Sequence, residues 1–530
     1  MTPSSIRRRP RRTTSHISVQ VAHALLGGVI AILWLVWPEL TASPSTDRPA
    51  ALAPRAPQQE VQETSTADLV LPLAALLAAA AVATYAYVRR TRRIRTRTTP
   101  GAPASATAPT LTHPLIQLDA RAQALLVEAD DCVRTSREEL ASAAATSAPE
   151  AMEPFARALR EAEWELSAAF AMRQRYDDGV PSEASARRQA LAGIVGRCAE
   201  AGRRLDAEAA GFDVVRGLER GIGAALEAAE TRFREVAGRT STAESTLAEL
   251  GRRYAATAYA PVVGFVEQAK DRLVFTTVHL NQARQSADAN EPGRAAAHLR
   301  AAEGAIAQAA IFETAVERLA GELSTAGKLT GAALTGAEAE IAGARRRMAE
   351  PAGGAQAPGA RVPAGELTSR VMHADAVLAA VRETLTGGPC DPLDALRRIV
   401  RAVAPVTAAR AGVLLVAAEL VARSTTAGAA DFVATHRGAV GAEARTRLAA
   451  ARRLLAEEPL TADTLARTAL HLAEQDVRTH GTPTPEATPH STGVGGALLG
   501  GILLRDDPTP GPPASFGGPR TRGRHNFPLS

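Results

Sequence analysis

The sequence predicts an all-α protein: one or two transmembrane helices, then long antiparallel helical hairpins of coiled-coil or bundle type, flanked by disordered termini. Three observations carry that reading. The first is composition. Of the 530 residues, 46% are hydrophobic but only 3% are aromatic. Alanine supplies most of the apolar count. It has the highest intrinsic helix propensity, and its small side chain lets helices approach closely. A large mixed sheet would instead require Val, Ile, Tyr and Phe in alternating runs. The second observation is periodicity: apolar residues recur at spacings of three and four, which is the pattern of a helix face. The third is a pair of apolar runs, 19–37 and 69–88, that contain no Asp, Glu, Lys or Arg.

Charge and cysteine usage narrow the class further. The formal charge of +5 sits at the ends of the chain, in the Arg runs at 7–12 and 89–97 and in Arg520, Arg522 and Arg524. The middle interleaves acid and base as solvated helix faces do. This excludes a basic binding domain. Cys132, Cys198 and Cys390 are odd in number and form no CxxC pair, which speaks against a disulfide framework and for a reducing compartment.

The N-terminal elements follow in order. Residues 1–18 are basic and contain "RRRPRR". Residues 19–37, "VQVAHALLGGVIAILWLVW", match a bilayer core at ~1.5 Å rise per residue. Trp34 and Trp37 sit at the far end, where interfacial aromatics belong. The same layout, with small residues such as Ala42 beyond it, fits a signal peptide. The run is therefore either an uncleaved transmembrane helix or a cleaved signal sequence, and the residues leave both open. Residues 38–67 read as a short extracytoplasmic loop rich in Pro and Ala. Residues 68–88 form a second transmembrane helix, with Pro72 near its start and Tyr85 and Tyr87 at the interface.

Segment 89–114 opens with Arg89, Arg90, Arg92, Arg93, Arg95 and Arg97 and continues as a Thr-, Ala- and Pro-rich linker. Excess Arg and Lys mark cytoplasmic flanks. The flank before the first span and the flank after the second are both basic. Both termini are therefore expected in the cytoplasm, and the cell membrane is the expected location. The six arginines serve as a stop-transfer signal, and they favour anionic lipid headgroups by ~1 kcal/mol per basic residue. No aromatics interleave with the cluster beyond the span, and no nucleic-acid fold motif is present, so no nucleic-acid partner is expected.

Residues 115–350 form a first helical region, 351–365 ("PAGGAQAPGARVPAG") a linker, and 366–480 a second helical region. The clearest helix carries Val262, Val266, Ala269, Leu273, Thr276, Leu280, Ala283 and Ala287, whose alternating spacings make a heptad seam for helix packing. "NEPGR" breaks it at Pro292 and Gly293. The seam resumes with Ala295, Leu299, Ala302, Ile306, Ala309, Val316 and Leu319, which predicts an αα-hairpin. Other helix starts follow Pro149, with Trp164 as a large buried residue, and Pro459, with Thr461 as N-cap. Another lies at Asp391–Pro392, with Asp394 in the first turn. Residues 481–530 are rich in Pro, Gly and Thr and are expected to be a disordered tail.

The chemical motifs are sparse. No P-loop, GxGxxG, HExxH or GxSxG occurs in a supporting context. No catalytic, cofactor-binding or metal-ligating residue is predicted. His279 and His298 lie on the two arms of the hairpin and can face each other. They read as polar helix positions, because no Cys or carboxylate cluster completes a metal site. Cys390 in "GGPCDP" reads as a plain loop cysteine. The carboxylate pairs Asp130–Asp131 and Asp177–Asp178 point in different directions on a helix and read as solvated faces. Lys270, with Glu267 and Asp271 beside it, reads as a surface ion pair.

Several segments together resemble the C-terminal half of actinobacterial TPM-domain membrane proteins. They are "HPLIQLDARAQALLVEADDCVRTSREEL" (113–140), "FVEQAKDRLVFTTVHLNQARQSAD" (265–288), "CDPLDALRRI" (390–399), "DFVATHRGAVGAEARTRLAAA" (431–451) and the tail pieces "GGALLGGILL" and "SFGGPRTRGR". The resemblance runs in order from about residue 68 to the end. It implies a membrane helix, a long cytoplasmic helical region and a Gly-rich tail. In that family a compact α/β TPM domain precedes these parts, and in some relatives it is linked to acid phosphatase activity. Here only residues 38–67 lie between the two apolar runs, too few for such a domain. No TPM site residue carries over.

The expected function is that of a membrane-anchored, non-enzymatic cytoplasmic helical scaffold or interaction protein. The membrane is one expected partner. Self-association, or assembly with full-length TPM relatives through helical regions, is the other. No small-molecule substrate and no cofactor is expected. Two readings stand beside it: an accessory or regulatory protein of a TPM-type phosphatase system, acting with a domain supplied in trans, and a degenerate or truncated TPM-family gene product.

Overall fold

The structure, a computed structural model, describes residues 115–218, 220–349, 364–406, 412–480 and 515–525. The two apolar runs, the loop between them and the arginine cluster Arg89–Arg97 lie outside the described residues. Among the described residues every regular element is a helix. In order these are α1 (Leu115–Ala144), α2 (Pro149–Asp177), α3 (Ala184–Arg216), α4 (Gly223–Arg253) and the single turn α5 (Ala256–Tyr259). Then come α6 (Phe265–Asp288), α7 (Pro292–Ala349), α8 (Ala364–Thr386) and α9 (Pro392–Val403). The last are α10 (Val413–Thr435), α11 (Ala442–Leu454), α12 (Pro459–His480) and α13 (Pro519–His525).

Local chemistry sets the helix ends. α3 stops at Gly217, whose φ of +60° needs no Cβ and whose N–H donates to the Asp213 carbonyl at 2.9 Å. The α6–α7 turn is only Ala289–Glu291, and Pro292 opens α7 at a position whose N–H would have no helical partner. α9 starts as its sequence predicts. Asp391 is the N-cap, its carboxylate accepts from the Asp394 N–H at 3.0 Å, and Pro392 follows. At α12 the prediction is corrected. Ala462 N–H bonds to the Glu458 carbonyl at 2.9 Å, so the helix begins at Pro459 and Thr461 lies inside the first turn.

Among the described residues, four apolar cores succeed one another. The first joins α1, α2 and α3 around Leu126, Phe155, Leu191 and Phe212. The second joins Leu218 and Ile222, the start of α4, α6 and the first half of α7. The third joins the end of α4, the second half of α7, α8, α9 and the start of α10. The fourth joins the end of α10 with α11 and α12. α7 serves two of them. At ~1.5 Å per residue its 58 residues run ~87 Å. Helices before and after residues 350–363 share the third core.

Along α6 and α7, facing partners run in opposite numerical order. Phe265 meets Phe312 with ring centroids 5.0 Å apart, Arg272 Nε donates to Gln308 Oε1 at 2.9 Å, and His279 meets His298. Val262, Val266, Ala269, Leu273, Thr276, Leu280 and Ala283 are buried. Val262 belongs to a 3₁₀ turn, cut from α6 by Gly264 at φ +84°. Ala287 is exposed and Ser286 is buried, in the last turn of α6 before the chain reverses into α7.

Three further expectations are corrected. Trp164 is 65% exposed, with the Arg197 guanidinium 5.6 Å from its ring, because Leu166, Ala162 and Ala169 take the inner face of α2. Asp130 is buried, since α11 supplies an arginine for it. Ser515–His525 is folded against the first core and is no disordered tail. α10 is long and apolar enough to cross a membrane by length and composition. Its polar positions are engaged by the helical body: Ser424 donates to Glu322 at 2.6 Å, Thr425 donates to Asp463 at 2.7 Å, and Asp431 accepts from Arg318.

Candidate functional site

The most structured recognition geometry is the groove between α1 and α3 that holds residues 515–525. Its apolar end is an aromatic triad. Phe516 is fully buried, stacked on Phe212 at 4.7 Å between centroids and tilted against Phe155 at 5.9 Å. Phe155 and Phe212 meet edge-on at 5.3 Å. Aromatic pairs in these arrangements add stabilisation beyond their area.

The polar end reads backbone. Asp206 of α3 accepts from three backbone donors: Gly518 N–H at 2.9 Å, Arg520 N–H at 3.3 Å and Thr521 N–H at 3.0 Å. It also accepts the Thr521 hydroxyl at 2.7 Å. A carboxylate is an acceptor only, with room for about four donors, so it suits the orphan N–H groups at the start of α13. On the α1 wall, Ser136 Oγ accepts the Gly517 N–H at 3.1 Å. Arg522 donates to the Asp131 carbonyl at 2.7 Å and to Thr135 Oγ1 at 2.6 Å.

Three glycines set the fit. A Cβ on Gly202 would stand 2.6 Å from the Pro519 ring, and a Cβ on Gly518 would overlap the Gly202 carbonyl. Gly517 has φ +145°, and a Cβ there would stand 2.7 Å from Thr521. The two backbones meet at a distance only glycine permits.

Beneath and beside the groove, charge is consumed internally. The adjacent carboxylates Asp130 and Asp131 are both reached by Arg445 Nη1 of α11, each at 2.7 Å, and Arg134 adds a bond to Asp130 at 2.8 Å. Burial raises the Asp130 pKa, but Arg134 and Arg445 outweigh it and hold the carboxyl below its ordinary value. Asp177 pairs with Arg173, and Asp178 accepts from Gln174 at 2.9 Å. Where α1, α3 and α7 meet, Glu139 faces Arg300 at 3.4 Å and Arg216 at 3.9 Å, and Arg216 also pairs with Glu303. Burial pushes Glu139 up to about 7 and raises Glu303 as well. Asp463 of α12, fully buried, binds Arg401 at 2.7 Å and Arg397 at 3.3 Å.

The remaining candidate side chains are placed as follows. His279 Nδ1 and His298 Nδ1 lie 3.1 Å apart, so one neutral ring donates to the other. Burial, with His298 adding, lowers His279 to about 4; burial also lowers His298. Among the described residues no group of three or more His, Cys, Asp or Glu is placed to hold a metal. Burial pushes the Cys132 and Cys198 thiols up to about 12 and raises Cys390, opposite to an activated nucleophile. Lys270 bonds Glu244 at 2.6 Å and Glu267 at 3.0 Å, with Glu244 in the place expected for Asp271.

The groove was the part sequence reasoning missed. Its one visible signal is a single Phe in a Gly- and Pro-rich stretch, followed by a Gly-Gly-Pro turn and alternating arginines. Nothing marks Asp206, Ser136 or Gly202 as its walls.

No family model matches the chain, and no solved structure matches it. It is similar to two curated proteins, UPF0603 protein MT2410 and UPF0603 protein Rv2345, from two strains of Mycobacterium tuberculosis. Identity to each is 30% over 434 residues, covering 76% of this chain and 64% of each relative. The chain thus spans less than two thirds of the length of these relatives.

Proposed function

We propose that this chain is a membrane-anchored, non-enzymatic scaffold whose body of antiparallel, coiled-coil-like helical hairpins stands in the cytoplasm and binds other polypeptides. The observation that carries this reading is the use made of the buried carboxylates. Asp130, Glu139, Glu303 and Asp463 each face arginines from helices distant in sequence. They tie α1 to α11, α1 and α3 to α7, and α12 to α9. Charge placed this way orients the helices against one another. The two apolar runs and the flanking Arg89–Arg97 support the anchor and its orientation. The segment resemblance to TPM-domain membrane proteins supports assembly with such relatives through matching helical regions.

Cross-linking of the full chain in native membranes tests the reading. Capture of itself or of a protein with a similar helical region is the expected result; a strictly monomeric, partnerless chain would overturn it. A phosphatase assay on the purified full chain separates the accessory-enzyme reading. Activity that a point change in the helical body abolishes would replace the scaffold with a catalyst.

A further inference from the structure

We infer that the α1–α3 groove is an exchangeable docking site, and that its partner in trans is segment 515–525 of a second copy of this chain. The inference deepens the scaffold reading and rests on it only for biological use, because the binding itself follows from the groove.

The recognition element is short and self-contained. Phe516 fills the aromatic end, Gly517 and Gly518 allow backbone contact with Gly202, and Arg522 closes on Asp131 and Thr135. Every one of these contacts joins the segment to α1, α2 or α3. A second copy can therefore make the same set unchanged, which is the condition for swapping an element between protomers.

The choice between cis and trans is then set by concentration. Residues 481–514 join α12 to the segment, 34 residues that can span at most ~120 Å. A tether of that length holds the segment at a finite effective concentration, and copies gathered on one membrane can match it.

Two complementary full-length variants test this. Phe516→Ala leaves the groove intact and disables the segment. Gly202→Ala leaves the segment intact and blocks the groove. A Cβ on Gly202 meets only Pro519, and alanine is favoured in a helix, so α3 itself is undisturbed. Asp206→Ala serves as a second groove-blocking variant, with circular dichroism confirming the helical fold of each.

The variants carry different affinity tags and are reconstituted together or singly into one lipid bilayer. The expected result is at least tenfold more co-capture for Phe516→Ala mixed with Gly202→Ala, or with Asp206→Ala, than for any variant mixed with itself. Excess synthetic peptide of residues 515–525 should abolish that capture. Equal capture in every mixture would overturn the inference while leaving self-association through other helical surfaces, and hence the scaffold, in place. No capture in any mixture would also overturn it, and the scaffold would then stand or fall on membrane cross-linking.

Discussion

Two regions of the molecule bury an arginine completely and do opposite things with it. Where α11 packs on α1, Arg445 donates to Asp130, Asp131 and the carbonyls of Val440 and Arg437. Burial works against its charge, but Asp130 and Asp131 outweigh this and raise its pKa. In the α6–α7 pair Arg272 has one hydrogen bond, to Gln308, and lies over the Phe312 ring at 5.6 Å. Both of its terminal nitrogens are buried without partners, and burial lowers its pKa to about 10. The first arginine specifies which helix packs on which. The second is carried at a cost by a seam that alanine and leucine already close. The contrast separates a region built by charge matching from one built by steric fit.

The largest effect should come from breaking the first arrangement. Arg445→Met leaves buried Asp130 with Arg134 alone and takes the donor from half-buried Asp131 and two carbonyls. Losing one partner of a buried pair costs about 3–5 kcal/mol. The urea midpoint of the full chain should fall accordingly, and the loss should centre on the α1–α11 contact. If stability is unchanged, the carboxylates are solvated after all, and the two regions do not differ in kind.

The next effect should have the opposite sign. Arg272→Met removes a desolvated charge that lacks a carboxylate and keeps most of the stem volume. Replacing poorly compensated buried charge with apolar volume is neutral or stabilising by about 1–4 kcal/mol. A raised urea midpoint is expected. A fall comparable to that of Arg445→Met would show that the Gln308 bond and the Phe312 contact hold the seam together, and the contrast would be lost.

These two arginines also show what could be read from sequence. That α6 and α7 are helices was legible because the information is local: Ala and Leu recur at spacings of three and four, and a Pro-Gly pair marks the break between them. The N-cap at Asp391 was legible for the same reason. The charge-matched region was not. Asp130 and Arg445 are far apart in the chain, and adjacent carboxylates on a helix look solvated until a distant helix delivers a guanidinium. Trp164 failed differently, since its size suggested burial while neighbouring small residues took the inner face. The groove failed most fully. Gly202 and Asp206 resemble any glycine and aspartate on an alanine-rich helix, and Phe516 sits in a stretch whose composition alone predicts disorder.

A pH titration tests the junction between the two regions. Glu139 and Glu303 face Arg216 and Arg300 there, with Asp213 beside them. The folded state holds the Glu139 proton up to about 7, whereas an unfolded chain releases it near the ordinary 4.5. Between those values the folded state binds more protons. Stability is therefore greatest on the acid side and falls as pH rises towards 7. At ~1.4 kcal/mol per pKa unit the contribution is on the order of 3–4 kcal/mol. Glu139→Gln should flatten this slope, leaving the part due to Glu303, which is shifted in the same direction. Stability that rises from pH 5 to pH 7 in the wild type, and is unaffected by the substitution, would mean that the arginines dominate and the junction behaves like the Asp130 site.

The smallest effect should come from the residue whose size misleads most. Trp164 projects from α2 into solvent, touched by the Arg197 guanidinium but by no core cluster. An exposed cation–π contact is worth ~0.5–1 kcal/mol at most, and serine costs a few tenths in helix propensity. Trp164→Ser should therefore shift stability by no more than about 1 kcal/mol, well below either buried arginine. The fluorescence lost on this substitution, with Trp34 and Trp37 still present, should match that of a water-exposed indole and be quenched by iodide. A loss of 3 kcal/mol or more, or an indole shielded from quencher, would mean that another surface covers this face of α2. The α1–α3 unit would then present a second contact besides the groove.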